Sequence, residues 1–462
     1  MRKLEELPIA IIGAGPVGLA AAAHLLELGV PVKLYEAGPQ VGTFIRDWSH
    51  VNVFTPWRYC VDQASVRLLR KHGWRMPDPE AFPTGGELVS NYLEPLAAAP
   101  RVASILDLNA RVVAISRWGI DKVGSKDRAS RPFMLLVKTP HGTRRDAARA
   151  VIDASGTWGQ PNPLGADGLP AAGEDENADR IAYGIPDVLG KDRAKYENQT
   201  TLVIGAGHSA ANSLLDLARL KDIAPQTQFV WATRGSDLAR IYSGGDADEL
   251  PARGELGANV RELVETQRVD LVTGFAVTSI YRTTEGLLVE GQTRDEARKL
   301  GPFDRIIAAT GQRPDLSITR EIRLDLDPWL ESAKALGPLI DPNEHSCGTV
   351  PPHGYRELSH PEPGFYTVGI KSYGRAPTFL LLTGYEQVRS VVAALTGDLK
   401  GADAIELVLP ETGICSGPAL DPEAGSQGCC GGPAPLEVDA CCLLDAQEKA
   451  SGKVGCGCGA QA

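Results

Sequence analysis

Cysteine is concentrated at the C-terminal end of this 462-residue chain. Seven of the nine cysteines lie in the last 48 residues, as a single residue, two adjacent pairs and one Cys-x-Cys pair, in groups 11 to 14 residues apart. Zinc modules usually space their ligands C-x2-4-C, which adjacent pairs do not match. Several thiolates on one segment can instead surround a soft ion. We therefore expect a thiophilic ion, with trivalent arsenic ahead of Cu(I), Hg(II) and Zn(II), to bind the paired cysteines: Cys429, Cys430, Cys441, Cys442, Cys456 and Cys458.

The segment that carries these cysteines differs in composition from the rest of the chain. From about Pro410 it is rich in Gly, Pro, Ala and acidic residues and has no sustained apolar period. Such a sequence cannot bury enough apolar surface to fold alone, so we predict a flexible Cys-rich tail over residues 410–462. A metallothionein-like ion store and an extension without function are the alternatives for this tail.

Composition limits the class of protein and its partners. A chain of 462 residues with 43% apolar residues favours two large α/β domains. The net charge of −11 argues against a nucleic acid or an anionic membrane as a partner. The sequence has neither an apolar run of transmembrane length nor a signal-peptide core, which predicts a cytoplasmic protein with reduced thiols.

The N-terminal segment PIAIIGAGPVGLAAAAHLLELGVPVKLYEAG predicts a dinucleotide-binding fold. An apolar strand leads into Gly13, Gly15 and Gly18, the G-x-G-x-x-G pattern at the start of a helix. These glycines allow the tight turn, the approach of a pyrophosphate and the close packing of helix on strand. The next strand ends at Glu36, an acid suited to an adenosine ribose.

A second segment, TTLVIGAGHSAANSLLDLARL, repeats the pattern with Gly205, Gly207 and Ala210. The strand that follows ends in Arg234, where a guanidinium favours the 2′-phosphate of NADPH. An Arg that only closes a loop is the alternative. His208, inside the second glycine loop, is expected to contact a phosphate or ribose, or else simply to start the helix facing solvent.

Later segments carry a resemblance to a known class. FDRIIAATGQRPD resembles the strand that returns from the NADPH domain to the FAD domain in two-dinucleotide-binding flavoproteins, and GFYTVGIKSYG resembles their flavin-side strand and turn. The resemblance implies an α/β fold of two Rossmann-like domains, with the NADPH domain inserted in the FAD domain. The boundaries implied are 1–160 and 302–400 for FAD, and 161–301 for NADPH. The cofactor-binding residues implied are Gly13, Gly15, Pro16, Gly18, Glu36, Ala37, Arg46, Trp48, Val113, Gly205, Gly207, His208, Ser209, Ala210, Arg234, Thr310, Gly311 and Gly369.

Within this class the sequence favours a flavin-containing monooxygenase-like protein. The core has no cysteine pair next to either glycine motif, so the usual disulfide reductase relay is absent. VGTFIRDW resembles the monooxygenase segment that places a tryptophan against the flavin, here Trp48. The fingerprint F-x-G-x-x-x-H is missing, and Tyr183 stands near the expected histidine. The whole chain is similar to the flavoprotein monooxygenase-like proteins associated with bacterial arsenic resistance.

The resemblance implies an FAD-dependent NAD(P)H oxidoreductase. NADPH would reduce the flavin and molecular oxygen would react with the reduced flavin, with a metalloid or a small organic molecule as substrate. No catalytic side chain is assigned. One alternative is a reductase that passes electrons from flavin to the C-terminal thiols. Another is a metalloid-binding protein with a secondary flavin domain; a homodimer is left open in each case.

Overall fold

The computed structural model describes residues 3–242, 251–294, 296–343 and 350–407. The six cysteines expected to bind a metal lie outside these residues. The strands are β1 Ile9–Ile12, β2 Val32–Tyr35, β3 Leu106–Asp107, β4 Arg111–Arg117, β5 Phe133–Thr139, β6 Gly142–Ala148, β7 Ala150–Asp153, β8 Ile181–Tyr183, β9 Thr200–Ile204, β10 Gln228–Ala232, β11 Asp270–Val272, β12 Ala276–Arg282, β13 Leu287–Gln292, β14 Ala297–Phe303, β15 Arg305–Ala308 and β16 Phe365–Thr367.

The helices separate these strands in the α/β manner that the sequence predicts. They are α1 Pro16–Glu27, α2 Trp57–Cys60, α3 Gln63–Arg70, α4 Gly85–Leu88, α5 Glu94–Ala98, α6 Pro100–Ala103, α7 His208–Ile223, α8 Ala239–Tyr242, α9 Pro251–Glu265, α10 Gly337–Ile340, α11 Leu381–Thr396 and α12 Leu399–Asp403. Within the described residues, no helix is both long and apolar enough to cross a membrane.

The first parallel sheet has the strand order β16-β7-β1-β2-β3. Strand β1 is buried on both faces, because Ile9 and Ile11 pack with α1 and α11 while Ala10 and Ile12 face the antiparallel sheet β4-β5-β6. Four consecutive apolar residues therefore form one central strand. The carboxyl ends of β1, β7 and β16 meet at one edge, where α1 begins.

The second parallel sheet has the order β11-β10-β9-β15-β8. Helices α7 and α9 pack on one face, and the antiparallel sheet β12-β13-β14 lies against the other. Strand β15 pairs with β9 and β8 in this sheet, although the predicted boundary at 301/302 assigns it to the last FAD segment. The sheets therefore divide the chain a few residues after that boundary.

Candidate functional site

The first glycine loop joins β1 to α1 and has the geometry that its three glycines predict. Gly13 has φ +97°, and a Cβ there would lie 2.6 Å from the carbonyl oxygen of Ala154. A Cβ on Gly18 would collide with the carbonyl oxygen of Gly13. A Cβ on Gly15 would meet no atom within 4 Å. The first and third glycines are thus required for packing, whereas the second borders open space.

Helix α1 directs its amino end toward that open space. Pro16 is the first helical residue, and its fixed φ suits this position. The amides of the first turn have no acceptor within the helix, so they carry the partial positive charge of the helix dipole. These features fit the pyrophosphate of a dinucleotide, because the loop offers N–H donors and leaves Gly15 without a side chain.

Glu36 follows β2 and lies beside the same loop. The residue is 8% exposed, and its carboxylate accepts N–H bonds from Ala14 at 2.9 Å and from Gly38 at 2.8 Å. A carboxylate has about four acceptor positions, so two bonds leave capacity for ribose hydroxyls. Glu36 therefore orders the loop in addition to the role predicted from the sequence. Ala37, the next residue, is half-buried beside it.

The second glycine loop joins β9 to α7 with the same division of roles. Gly205 has φ +136°, and a Cβ there would collide with the carbonyl oxygen of Ala309. A Cβ on Gly207 would meet no atom within 4 Å. Ala210 replaces the third glycine and is fully buried, so its methyl group fits between helix and strand. This loop also has room for a pyrophosphate.

Three further residues expected to bind the nicotinamide nucleotide lie near this loop. His208 and Ser209 form the first turn of α7, and the His208 ring lies 5.1 Å from the ring of Phe54 in an edge-on arrangement. Arg234 is exposed two residues after β10, and its Nη1 donates to the Ala166 carbonyl at 2.8 Å. A guanidinium has five N–H groups, so this bond leaves donors for a phosphate.

The segment after Glu36 brings aromatic side chains toward the second fold. Trp48 packs so closely on the amino end of α4 that a Cβ on Gly85 would lie 2.7 Å from its ring. Its ring centroid is 6.3 Å from that of Trp158, whose Nε1 donates to Asp47 at 3.0 Å. Arg46 pairs with Glu94 at 2.7 Å. Arg46 thus orders this segment through protein contacts.

The flavin-side turn predicted around Gly369 lies against the first turn of α1. A Cβ on Gly369, which has φ +70°, would lie 3.3 Å from Val17 Cβ. Thr310 and Gly311 follow β15 and bind Asn162, through Thr310 Oγ1 to Asn162 O at 2.6 Å and Asn162 N to Gly311 O at 2.9 Å. These contacts tie the chain after β15 to the segment after β7.

Two further positions considered in the sequence, Val113 and Tyr183, lie in strands and not in the glycine loops. Val113 is half-buried in β4, where the register with β5 shifts by one residue. Tyr183, in the place of the expected histidine, donates a hydrogen bond to the Glu174 carboxylate. No group of three or more His, Cys, Asp or Glu side chains within the described ranges could hold a metal ion.

Cys60, at the end of α2, is the one cysteine that the described ranges contain. It is fully buried, and its Sγ lies 3.3 Å from both Oγ1 and the carbonyl oxygen of Thr55. Burial raises the pKa of its thiol to about 11. The thiol is therefore protonated at neutral pH and poorly suited to redox exchange.

The structure places further polar residues at the Gly369 turn, and no sequence motif indicated them. Lys371 and Asp153 form an ion pair of 2.7 Å beneath the Gly369 turn, and Lys371 Nζ also donates to Ser155 Oγ at 2.9 Å. Gln387, in α11, accepts the Gly369 N–H at 2.7 Å. The position of Lys371 inside the apolar strand-and-turn segment GFYTVGIKSYG could have indicated a buried lysine that needs an acidic partner. Gln387 gave no comparable signal.

Comparisons with known proteins agree with this geometry. Residues 11–64 match the family described as an NAD(P)-binding Rossmann-like domain. The chain is 25% identical over 236 residues to a flavin-containing monooxygenase, FMO GS-OX-like 3, of Arabidopsis thaliana, covering 46% of this chain and 48% of that protein. The match thus spans about half the length of that monooxygenase. A ferredoxin–NADP reductase of Salinispora tropica is 26% identical over 328 residues, covering 70% and 80% of the two chains.

Solved structures share the fold. The bacillithiol disulfide reductase of Bacillus cereus superposes with a TM-score of 0.61 at 17% identity, over 84% of this chain and 98% of that one. At this identity the likeness is evidence of fold alone. Taken together, the comparisons confirm the predicted α/β fold with Rossmann-like domains. They also confirm the predicted enzyme class, a flavin-dependent oxidoreductase, and the predicted cofactors, FAD and NADP(H).

Proposed function

We propose that the chain is an NADPH-dependent monooxygenase, one of the FAD/NAD(P)-binding flavoprotein oxidoreductases of the monooxygenase and thioredoxin reductase-like superfamily. We propose further that its substrate is a thiophilic metalloid, with trivalent arsenic as the first candidate, or a small organic molecule. The site residues named above keep their proposed roles: FAD at the Gly13 loop and NADPH at the Gly205 loop.

One observation carries the proposal. The segment that follows Glu36 and contains Trp48 and Phe54 connects the two glycine loops, and it has no redox-active thiol. Phe54 of this segment lies 5.1 Å from His208, which begins α7 beside the second loop, and Trp48 lies 6.3 Å from Trp158. Within the described residues the one cysteine is Cys60, which is buried and protonated. This arrangement supports transfer between two nucleotides and then to oxygen rather than to a core disulfide.

The residues of the chain would bind, orient and exclude water. The Gly15 and Gly207 loops leave room for the two pyrophosphates, and Arg234 would contact the 2′-phosphate of NADPH. Bound FAD would supply the redox chemistry, since flavin accepts hydride from NADPH and its reduced form reacts with oxygen. The rings of Trp48 and Trp158 would limit access of water to this chemistry.

The proposed net reaction balances without a further reductant. NADPH provides two electrons and the trivalent metalloid provides two, which together reduce one molecule of O2. One oxygen atom enters the pentavalent product and the other leaves as water. The paired cysteines from Cys429 to Cys458 support a metalloid substrate, because soft ions prefer thiolate ligands.

A reductase that passes electrons to these C-terminal thiols is the second candidate, and the concentration of seven cysteines in the last 48 residues favours it. The two reactions differ in their use of oxygen. We would mix the full-length protein with equimolar NADPH and arsenite in oxygenated buffer, and measure oxygen uptake, H2O2 and pentavalent arsenic. A monooxygenase should consume one O2 and form one pentavalent arsenic for each NADPH oxidised, with little H2O2.

The same mixture under argon, with a small disulfide in place of oxygen, provides the contrast. NADPH oxidation that requires the disulfide and not oxygen would support the reductase and contradict the monooxygenase. If all the oxygen consumed became H2O2 with every arsenical and organic substrate tested, the protein would be an NADPH oxidase and the monooxygenase proposal would be wrong. A homodimer remains a prediction, which the mass in solution would test.

A further inference from the structure

Gln387 holds the turn that carries Gly369. It lies in α11 and is fully buried. Its Oε1 accepts the Gly369 N–H at 2.7 Å, and its Nε2 donates to Ser372 Oγ at 2.9 Å. Ser372 in turn donates to the Gly369 carbonyl at 2.7 Å. Both backbone groups of Gly369 are therefore bound through one buried side-chain amide and its hydroxyl neighbour.

The orientation of the Gln387 amide depends on the protonation of His353. His353 Nδ1 lies 3.0 Å from the carbonyl oxygen of Pro351, and its Nε2 lies 3.0 Å from Gln387 Nε2. The carbonyl oxygen can only accept, so Nδ1 carries the proton and Nε2 is left as an acceptor in the neutral ring. That acceptor faces the NH2 group of Gln387, which leaves Oε1 directed at Gly369.

We propose that Gln387 is a positioning residue for the Gly369 turn of the FAD site, and that the neutral form of His353 sets its orientation. The inference rests on the FAD site of the proposed function. The turn lies against Val17 in the first turn of α1, so a displaced Gly369 would disturb the loop that is proposed to bind FAD. Gln387 acts through the backbone of Gly369, and no contact between Gln387 and FAD is needed.

Protonation of His353 would break this arrangement. A second N–H on the ring would face the NH2 of Gln387, so the amide would have to turn and Gly369 would lose its acceptor. Burial lowers the pKa of His353. The hydrogen bond to the Pro351 backbone and the negative charges of Glu357 and Glu386 raise this pKa, and burial is the largest of these effects. The Tyr373 ring, with its centroid 5.6 Å away, is a further titratable group packed against it.

The proposal predicts a pH dependence of FAD affinity with a definite sign. The free imidazole has a pKa of about 6.5, and the folded protein favours the neutral ring. FAD affinity should therefore be constant at and above about pH 6.5, and it should fall only when the pH drops through the lowered pKa of His353. Loss of the hydrogen bond to Gly369 should decrease FAD affinity roughly three- to tenfold.

The isosteric variant Gln387→Glu should invert this dependence. Its carboxylate can accept from Gly369 and from a protonated His353 at once, but it has no proton to donate to a neutral His353. FAD should then bind most tightly at low pH and more weakly as the pH rises. Gln63→Glu, on the exposed start of α3, is the matched control and should keep the wild-type profile.

The experiment measures the dissociation constant of FAD from pH 5 to pH 8 by the fluorescence of released flavin, on full-length proteins. His353→Phe is the second variant, in case Gln387→Glu does not fold, and its FAD affinity should be independent of pH in this range. An unchanged profile in Gln387→Glu or in His353→Phe would overturn the proposal. NADPH, oxygen and substrate are all absent, so a failed monooxygenase assignment would leave this result unaffected.

Discussion

Lys371 and Asp153 form a buried ion pair, with 2.7 Å between Nζ and Oδ2 and both side chains 1% exposed. Asp153 ends β7, and Lys371 lies in the turn after β16. The pair thus links two segments of the first sheet that are 218 residues apart in sequence. Ser155 completes the cluster, because its Oγ donates to Asp153 and accepts from Lys371.

Lys371→Met should destabilise the protein by about 3–5 kcal/mol, because it leaves the Asp153 carboxylate buried without a counter-charge. Denaturation with urea, followed by circular dichroism, measures this change. Lys400→Met, at an exposed position in α12, is the matched control and should have little effect.

Removal of both charges provides the complementary test. Lys371→Met with Asp153→Asn should be more stable than Lys371→Met alone, since no unpaired charge remains. If the two substitutions were simply additive, the ion pair would not account for the effect.

Gly15→Val should abolish FAD binding while the fold is retained. A side chain at this position meets no protein atom, and the backbone φ of −82° suits any residue, but the side chain would occupy the proposed pyrophosphate site. The measurement is the flavin content of the purified protein beside its circular dichroism spectrum. Gly18→Val is the contrasting variant, because a side chain there collides with Gly13 O and should disrupt the fold itself. Stoichiometric FAD in Gly15→Val would contradict the assignment of this loop.

Arg234→Ala should raise the KM for NADPH with little change in kcat. Arg234 is proposed to contact the 2′-phosphate equally in the ground and transition states, so its loss affects binding and not the chemical step. The KM for NADH should be nearly unchanged, because NADH lacks this phosphate. Steady-state kinetics with both nucleotides provide the test, with the exposed Arg261→Ala as control. Equal losses for NADPH and NADH would mean that Arg234 supports the loop through Ala166 instead.

Replacement of Cys429, Cys430, Cys441 and Cys442 by Ser should abolish tight arsenite binding. Thiolates are the binding form, and exposed cysteines titrate near pH ~8.5, so binding to the native protein should release protons. Calorimetry in buffers of different ionisation enthalpy measures both quantities. FAD content and basal NADPH oxidation should be unchanged, and Cys60→Ser serves as the control for loss of a thiol elsewhere. Equal arsenite affinity in the two proteins would contradict a metalloid site at these cysteines.

Short-range patterns were sufficient to predict the two glycine-rich loops between strand and helix. Gly13, Gly18 and Gly205 are needed because of contacts between a turn and the strand or helix next to it, so their spacing along the chain encodes the requirement. The α/β class followed from the same strand–turn–helix repeats. The roles of Arg46 and Glu36 were only partly visible, since Arg46 binds Glu94 and Glu36 binds the backbone of its own loop.

The sequence by itself determined the two Rossmann-like folds, because each glycine motif and its flanking apolar strand and helix are local. Only the tertiary structure decided which distant side chains support the first loop. Lys371 pairs with Asp153, and Gln387 forms hydrogen bonds with Gly369 and His353, because β7, β16 and α11 meet at one edge of the first sheet. A buried charge or amide must find its partner wherever the fold places it, and no spacing rule along the chain encodes that meeting.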